Sequence, residues 1–119
     1  MAVTEELGAR GEQLAVDFLV RNGFVVLARN WRCPVGEIDI VAREAETVVV
    51  CEVKTRTSGS YGSPFEAVTP GKRQRLRLLA LEWLKAWDHP YDDLRIDLVG
   101  VSCLPTGGGY AIEHLRGVA

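Results

Sequence analysis

The strongest structural signal in the chain lies in residues 36–56, which read G-E-I-D-I-V-A-R-E-A-E-T-V-V-V-C-E-V-K-T-R. Two half-apolar runs flank the link Glu44-Ala45-Glu46-Thr47, and residues in such runs alternate between the two faces of a strand. The link is short enough for an antiparallel hairpin, although it lacks the Asn-Gly or Asp-Gly pair of the tightest turns. The stretch therefore predicts two paired strands.

Alternation predicts which side chains of this hairpin share a face. The expected groups are Ile38 with Ile40 on one face of the first strand, Glu37, Asp39 and Val41 on its other face, and Val48, Val50, Glu52 and Lys54 together on the second strand. If Ala45 and Glu46 form the loop, the register places Asp39 opposite Glu52 and Glu37 opposite Lys54. The hairpin would then carry two acids and a lysine on one face.

Two carboxylates that face each other in a sheet repel, and a cation between them removes the repulsion. Oxygen ligands of this kind suit Mg²⁺, which keeps several waters and takes one or two carboxylates from a protein. Lys54 would point into the same site, where it could position a water molecule or neutralise charge on a phosphate. The alternative is a surface hairpin with solvated acids, in which Lys54 pairs with Glu37.

The composition is that of an ordinary globular domain. The 119 residues, 47% hydrophobic and 25% charged, fit a single domain over residues 1–119. Three cysteines without C-x-x-C spacing predict neither a disulfide framework nor a zinc ribbon. No signal peptide or membrane span is predicted, so we expect a cytoplasmic protein without a membrane partner.

Charge is segregated along the chain. The net charge of -2 argues mildly against nucleic-acid binding. Between residues 56 and 77, however, one acid, Glu66, stands among basic residues, namely Arg56, Lys72, Arg73, Arg75 and Arg77. One face of a weakly acidic protein could therefore be positive.

Two amphipathic helices are predicted around the hairpin. The first runs from Thr4, as N-cap, to Asn22, and Glu12 borders its apolar stripe, where it is either a solvated acid or reaches over the sheet edge toward the hairpin acids. The second opens at Thr69-Pro70 and carries Trp83 and Trp87, which form either core or a partner surface. Further strands are expected at residues 24–31, 94–101 and 110–115. The Gly-, Ser- and Pro-rich residues 57–70 are either a mobile flap over a substrate or a plain connection.

This order of elements, with G-E-I-D in the second strand and E-V-K-T-R in the third, resembles the PD-(D/E)xK nuclease superfamily. Within it, the chain is similar to the small bacterial YraN-type proteins, a largely uncharacterised family likened to archaeal Holliday junction resolvases. The resemblance runs from G-A-R-G-E-Q-L-A at residues 8–15 through the R-I-D-L-V-G strand. It implies a restriction-endonuclease-like α/β fold, with a central mixed β-sheet flanked by α-helices.

The resemblance also implies roles for individual residues. Asp39, preceded by Ile38 where the motif name has Pro, and Glu52 would ligate Mg²⁺ or Mn²⁺, with the Val53 carbonyl as a further ligand. Lys54 would position the attacking water, and Glu12 would hold the site or the metal's water shell. The residues expected to contact the substrate are Arg56, Lys72, Arg73 and Gln74.

The resulting hypothesis is a metal-dependent endonuclease that hydrolyses phosphodiester bonds of DNA, with branched or junction DNA as one substrate class. Because resolvase-like enzymes act as dimers, the resemblance also allows a homodimer, without assigning an interface. One alternative is a nucleic-acid-binding protein with the same fold and little or no catalysis. Another is a scaffold that binds partners through Trp83 and Trp87.

Overall fold

The first helix begins and ends where its sequence predicts. In the computed structural model, which describes residues 4–57, 68–103 and 109–119, helix α1 spans Glu5–Arg21. The Thr4 hydroxyl accepts the Leu7 N–H at 3.1 Å, which satisfies one of the free amide groups of the first turn. After the helix, Gly23 adopts a φ of +88°, a conformation that suits glycine.

The strands form a five-stranded mixed sheet in the order β1-β2-β3-β4-β5. They are β1 (Val25–Cys33), β2 (Gly36–Glu44), β3 (Thr47–Thr57), β4 (Asp93–Cys103) and β5 (Tyr110–Leu115). The β3–β4 pair is parallel and the other pairs are antiparallel. A parallel pair needs a long crossover, and helix α2 (Pro70–Ala86) lies within this connection.

Helix α2 starts at the predicted cap. The Thr69 side chain accepts the Lys72 N–H at 3.2 Å, and Pro70 occupies the first turn, where no amide hydrogen is needed. The first turn contains no acid. Its buried residues are Leu76, Leu79, Ala80 and Trp83.

The helices cover opposite faces of the sheet. On the α1 side, Ile40, Val49, Cys51 and Val99 pack with the helix, and Cys51 behaves as the small hydrophobic residue its position predicts. On the α2 side the core contains, among others, Ile38, Val41, Val50, Leu98 and Trp83. The predicted α/β architecture of a mixed sheet flanked by helices is confirmed, and it is compatible with a restriction-endonuclease-like core.

The tryptophans of α2 belong to this core. Trp83 is 7% exposed, and its ring lies 5.4 Å from that of Trp31 and 5.7 Å from that of Trp87. Trp83 is therefore part of the core, as predicted, and the half-buried Trp87 packs against it. No helix of the described residues is long and apolar enough to span a membrane. The interpretation of residues 58–67 as a flap lies outside the described residues.

The hairpin has the predicted register near its turn. Ile40 pairs with Cys51, and pairing continues to Glu44 with Thr47 around a turn in which Ala45 has a φ of +51°. In the other direction, the pairing of β2 with β3 ends at Ile40 and Cys51. Asp39 and Glu52, and Glu37 and Lys54, are not strand pairs as we expected.

The expected alternation of faces in β2 is wrong. Ile38 packs in the α2-side core and Ile40 in the α1-side core. The neighbouring strand changes face at the same level, because Trp31 packs on Trp83 of α2 while Arg29 reaches α1. Asn30, between them, has a φ of +51°. This left-handed residue and the end of the β2–β3 pairing interrupt the regular pleat, which simple alternation cannot anticipate.

Candidate functional site

Asp39 lies where β2 and β3 stop pairing. Its Oδ2 accepts the Val53 N–H at 2.8 Å. The side chain thus takes the place that a strand carbonyl would hold in a continued ladder. This hydrogen bond fixes Asp39 against β3, next to Glu52.

The surroundings of Asp39 disfavour its negative charge. Burial is the largest effect, and the nearby charges of Glu52, Glu12 and Glu37 act in the same direction. The hydrogen bond from Val53 opposes them but does not compensate, and the pKa of Asp39 rises to about 7. No cation of the described residues is among the groups that shift the pKa of Asp39.

Glu12 approaches the same carboxylate from α1. Its side chain is 15% exposed, and its Oε1 lies 3.3 Å from Arg29 Nε and accepts the Asn30 side-chain amide at 3.0 Å. With Asp39, Val53 and Lys54 it lines a cleft of about 360 Å³, which we call the Asp39 cleft. The helix acid therefore reaches over the sheet edge, as the pattern allowed, and Asn30 helps to hold it there.

The close approach of α1 to the site depends on Gly11. A Cβ at this position would overlap the Thr55 hydroxyl of β3. Thr55 lines the Asp39 cleft together with Gly8. A glycine one residue before Glu12 thus brings the helix near enough to present its carboxylate.

Glu52 faces α2 rather than α1. It lines a larger cleft of about 570 Å³, the Glu52 cleft, together with residues of β2 and of α2 and its cap, namely Glu37, Thr69, Gly71, Lys72, Arg75, Leu76 and Leu79. Lys72 Nζ lies 3.1 Å from Glu52 Oε1. Glu52 lines this cleft and the next residue of β3, Val53, lines the Asp39 cleft on the α1 side.

Lys54 is exposed and lines the Asp39 cleft. Within the described residues its ammonium group has no hydrogen-bond or ionic partner. The ionic contact of Glu37 is instead with Arg32, whose Nε lies 3.7 Å from Glu37 Oε2. The alternative hairpin, in which Lys54 pairs with Glu37, is therefore not observed.

The predicted substrate-contacting residues are only partly brought together. Lys72 lines the Glu52 cleft, whereas Gln74 is exposed and lines neither cleft. Arg56, on β3, and Arg73, on α2, are half-buried, and neither lines these clefts.

Sequence reasoning missed Arg75, which lines the Glu52 cleft. Its guanidinium donates to the Val35 carbonyl at 3.1 Å. A Cβ on Gly36, which has a φ of +153°, would lie 2.9 Å from the same guanidinium. The glycine of the G-E-I-D run could have signalled this close approach.

The donor set can accommodate a hard divalent cation as a two-carboxylate site. Across the described residues, no three His, Cys, Asp or Glu side chains are close enough together to ligate one ion. Asp39 and Glu52 interact electrostatically, and Asp39 Oδ1 receives no hydrogen bond in the described part of the chain. Mg²⁺ commonly takes one or two carboxylates and completes its shell with water, which fits these donors.

A second polar cluster, which the sequence did not indicate, surrounds the fully buried Asp97 of β4. Arg95 donates to both carboxylate oxygens, at 2.8 and 2.9 Å, and His114 Nε2 lies 2.8 Å from Oδ2. Burial alone would raise the pKa of Asp97, but the hydrogen bonds from His114, Arg95 and the Gly117 N–H lower it to about 2. Because the carboxylate is saturated with donors, we interpret this cluster as structural.

Comparison with known proteins identifies the family. Residues 11–101 match the uncharacterised protein family UPF0102. A UPF0102 protein of Nocardioides sp. is 50% identical over 117 residues, which cover 98% of this chain and 94% of the relative. A UPF0102 protein of Streptomyces coelicolor is 52% identical over 95% of this chain and 88% of the relative. A third, from Beutenbergia cavernae, is 50% identical over 99% of both chains. The resemblance to the YraN-type family is thus confirmed, and the chain belongs to the UPF0102 family.

Proposed function

We propose that this protein is a metal-dependent endonuclease that hydrolyses phosphodiester bonds of DNA. The observation that carries the proposal is the position of Asp39, whose carboxylate is fixed to β3 by the Val53 N–H beside Glu52 and has a raised pKa. Acids forced together at the end of two strands destabilise each other unless a cation binds. Such an arrangement is typical of functional sites.

Asp39 and Glu52 would hold Mg²⁺ or Mn²⁺, with the Val53 carbonyl as a further donor. When bound, the cation would supply positive charge to the scissile phosphate and make a water molecule more acidic. Lys54 lines the Asp39 cleft without a partner in the described residues, so its ammonium is available to orient the attacking water. Glu12, held by Arg29 and Asn30, would hold the site or the water shell of the cation.

The substrate would lie over the first turn of α2. Lys72 and Arg75 line the Glu52 cleft there, and both carry positive charge for a phosphate backbone. Arg73 and Gln74, which lie between them on α2, and Arg56 on β3 remain proposed contacts. Paired cuts in branched DNA would require two copies of the site, so a homodimer is part of this proposal.

The test is cleavage of end-labelled single-stranded, duplex, flap and four-way-junction DNA with Mg²⁺ or Mn²⁺. Wild type is compared with Lys54→Ala and with Lys85→Ala as a matched control. Lys85 is an exposed lysine that lines neither cleft and pairs with Glu82 at 2.8 Å. We expect Lys54→Ala to lose at least about 100-fold in rate, the scale of a lost acid-base group, and Lys85→Ala to match wild type.

Equal cleavage by wild type and Lys54→Ala would contradict the proposed site. Binding of DNA without cleavage in either metal would favour the other candidate, a nucleic-acid-binding protein with little or no catalysis. The observation that favours this second candidate is the contact between Lys72 and Glu52, which already gives one of the two proposed metal ligands a cationic partner.

A further inference from the structure

Lys72 and Glu52 contact each other, although the proposed function assigns them different roles. Lys72 Nζ lies 3.1 Å from Glu52 Oε1, and the two side chains are 36% and 19% exposed. Glu52 would have to ligate a cation, and Lys72 would have to contact a phosphate. The ammonium group thus contacts the carboxylate that would ligate the cation.

Lys72 is well suited to exchange between two partners. Its backbone is fixed, because its N–H donates to the Thr69 cap, but its side chain is a flexible four-carbon stem. It also stands in a first helical turn that contains no acid, where a cation opposes the helix dipole. Bound phosphate at this turn would be favoured by the same dipole.

Arg75, the other basic residue lining this cleft, is held in place. Its guanidinium donates to the Val35 carbonyl and packs closely over Gly36. On the α1 side, Arg29 contacts Glu12 and donates to Gln13. Among the described cations lining the Glu52 cleft, Lys72 is thus the one paired with a proposed metal ligand.

We propose that Lys72 is an internal counter-ion of Glu52 that a divalent cation displaces, and that the released ammonium then binds a phosphate of the nucleic acid. This inference rests on the proposed function, since it takes Glu52 as a metal ligand. Metal and nucleic acid therefore bind cooperatively. Thermodynamic linkage requires that each raise the affinity for the other by the same factor.

The first measurement is calorimetric titration of Mn²⁺ alone into wild type, Lys72→Met and Arg77→Met. The control removes a positive charge from the same helix, because Arg77 is exposed and lines neither the Asp39 cleft nor the Glu52 cleft. We expect Lys72→Met to bind Mn²⁺ roughly 3- to 10-fold more tightly than wild type, as an unfavourable charge a few ångströms away is removed. Arg77→Met should stay within about 2-fold of wild type, because distant surface charges are screened.

The second measurement is the anisotropy of a fluorescent duplex DNA, with and without Mn²⁺, in a Lys54→Ala background that slows cleavage. Mn²⁺ should raise DNA affinity by a larger factor when Lys72 is present than in Lys72→Met. Lys72→Gln serves as a second variant if Lys72→Met unfolds, which circular dichroism would reveal.

The outcomes separate this inference from the proposed function. Equal Mn²⁺ affinity in wild type and Lys72→Met, or weaker binding by the variant, would overturn the counter-ion while leaving the nuclease proposal intact. Tighter binding by Lys72→Met together with no DNA cleavage by wild type would support the counter-ion and overturn the nuclease. Absence of Mn²⁺ binding in all three proteins would overturn both.

Discussion

Two aspartates of the same sheet, on strands separated by β3, have pKa values shifted in opposite directions. Asp97 on β4 is fully buried, yet its pKa is lowered to about 2. Asp39 on β2 is more exposed, yet its pKa is raised to about 7. Burial alone therefore does not determine the direction of the pKa shift of these two carboxylates.

Their partners explain the difference. Asp97 accepts from the cation Arg95 and the Gly117 N–H and contacts His114, so its charge is satisfied within the protein. Asp39 accepts the Val53 N–H, and the charges that affect it are those of other acids. The comparison separates a carboxylate whose charge is favoured by its partners from one whose charge is disfavoured by its surroundings.

The largest expected change in stability is at Asp97, whose carboxylate has its hydrogen-bond partners within the protein. Asp97→Asn would leave Arg95 without its bidentate partner in a half-buried position, and we expect a loss of about 3–5 kcal/mol in the free energy of unfolding at pH 7. Because the pKa of Asp97 is lowered in the folded state, its contribution is present above about pH 4 and lost as the pH falls toward 2.

Urea denaturation at pH 7 and at pH 3 tests this prediction. The difference in unfolding free energy between wild type and Asp97→Asn should be smaller at pH 3. Glu113→Gln, an exposed acid on β5, is the control and should resemble wild type. Equal stability of Asp97→Asn and wild type at pH 7 would show that the cluster does not stabilise the fold.

A smaller change in stability is expected at Gly11, where α1 approaches β3 beside the Asp39 cleft. Gly11→Ala places a methyl group against the Thr55 hydroxyl, and we expect a loss of about 1–3 kcal/mol from this overpacking. Gly8→Ala, three residues earlier in the same helix, meets no atom within 4 Å and should gain roughly 0.5–1 kcal/mol from helix propensity.

Chemical denaturation of both variants measures this difference. A gain in stability from Gly11→Ala as large as that from Gly8→Ala would mean that α1 does not need its close approach to β3. The approach of Glu12 to Asp39 would then require another explanation.

The smallest change in stability is expected at Asp39, where substitution by Asn should stabilise the protein rather than destabilise it. Asp39→Asn keeps an oxygen for the Val53 N–H and removes a charge that its neighbours disfavour. Because a neutral amide oxygen accepts that N–H more weakly than a carboxylate does and solvent screens part of the repulsion, metal-free protein should gain about 1–2 kcal/mol at pH 8, less than the full linkage of the raised pKa. Because the folded-state pKa of Asp39 is raised to about 7, its ionisation costs stability as the pH rises from about 4 through 7. The gain should therefore vanish near pH 4.

Thermal or urea denaturation in EDTA across pH 4–8 tests this sign. A loss of stability in Asp39→Asn at pH 8 would make Asp39 a structural carboxylate like Asp97. The comparison between the two aspartates would then fail.

Much of the architecture was predictable because it follows from local signals. The caps at Thr4 and Thr69-Pro70 and the hairpin register at Ala45-Glu46 depend on residues within a few positions of each other. The position of Glu12 at the sheet edge also follows from helical spacing. Alternation also predicted the faces of Val48 to Val53 on β3. It failed on β2, because strict alternation assumes an uninterrupted pleat.

Local pattern and composition thus specify the elements, their order and the presence of acids on the hairpin strands, since backbone hydrogen bonding and side-chain periodicity act over short stretches. Contacts between distant residues specify the rest. Examples are the change of face at Asn30 and Asp39, the overlap avoided at Gly11, the pairing of Lys72 with Glu52, and the donors that saturate Asp97. Such contacts have no period in the sequence, because they form only when packed helices and strands bring the side chains within hydrogen-bond and van der Waals distance.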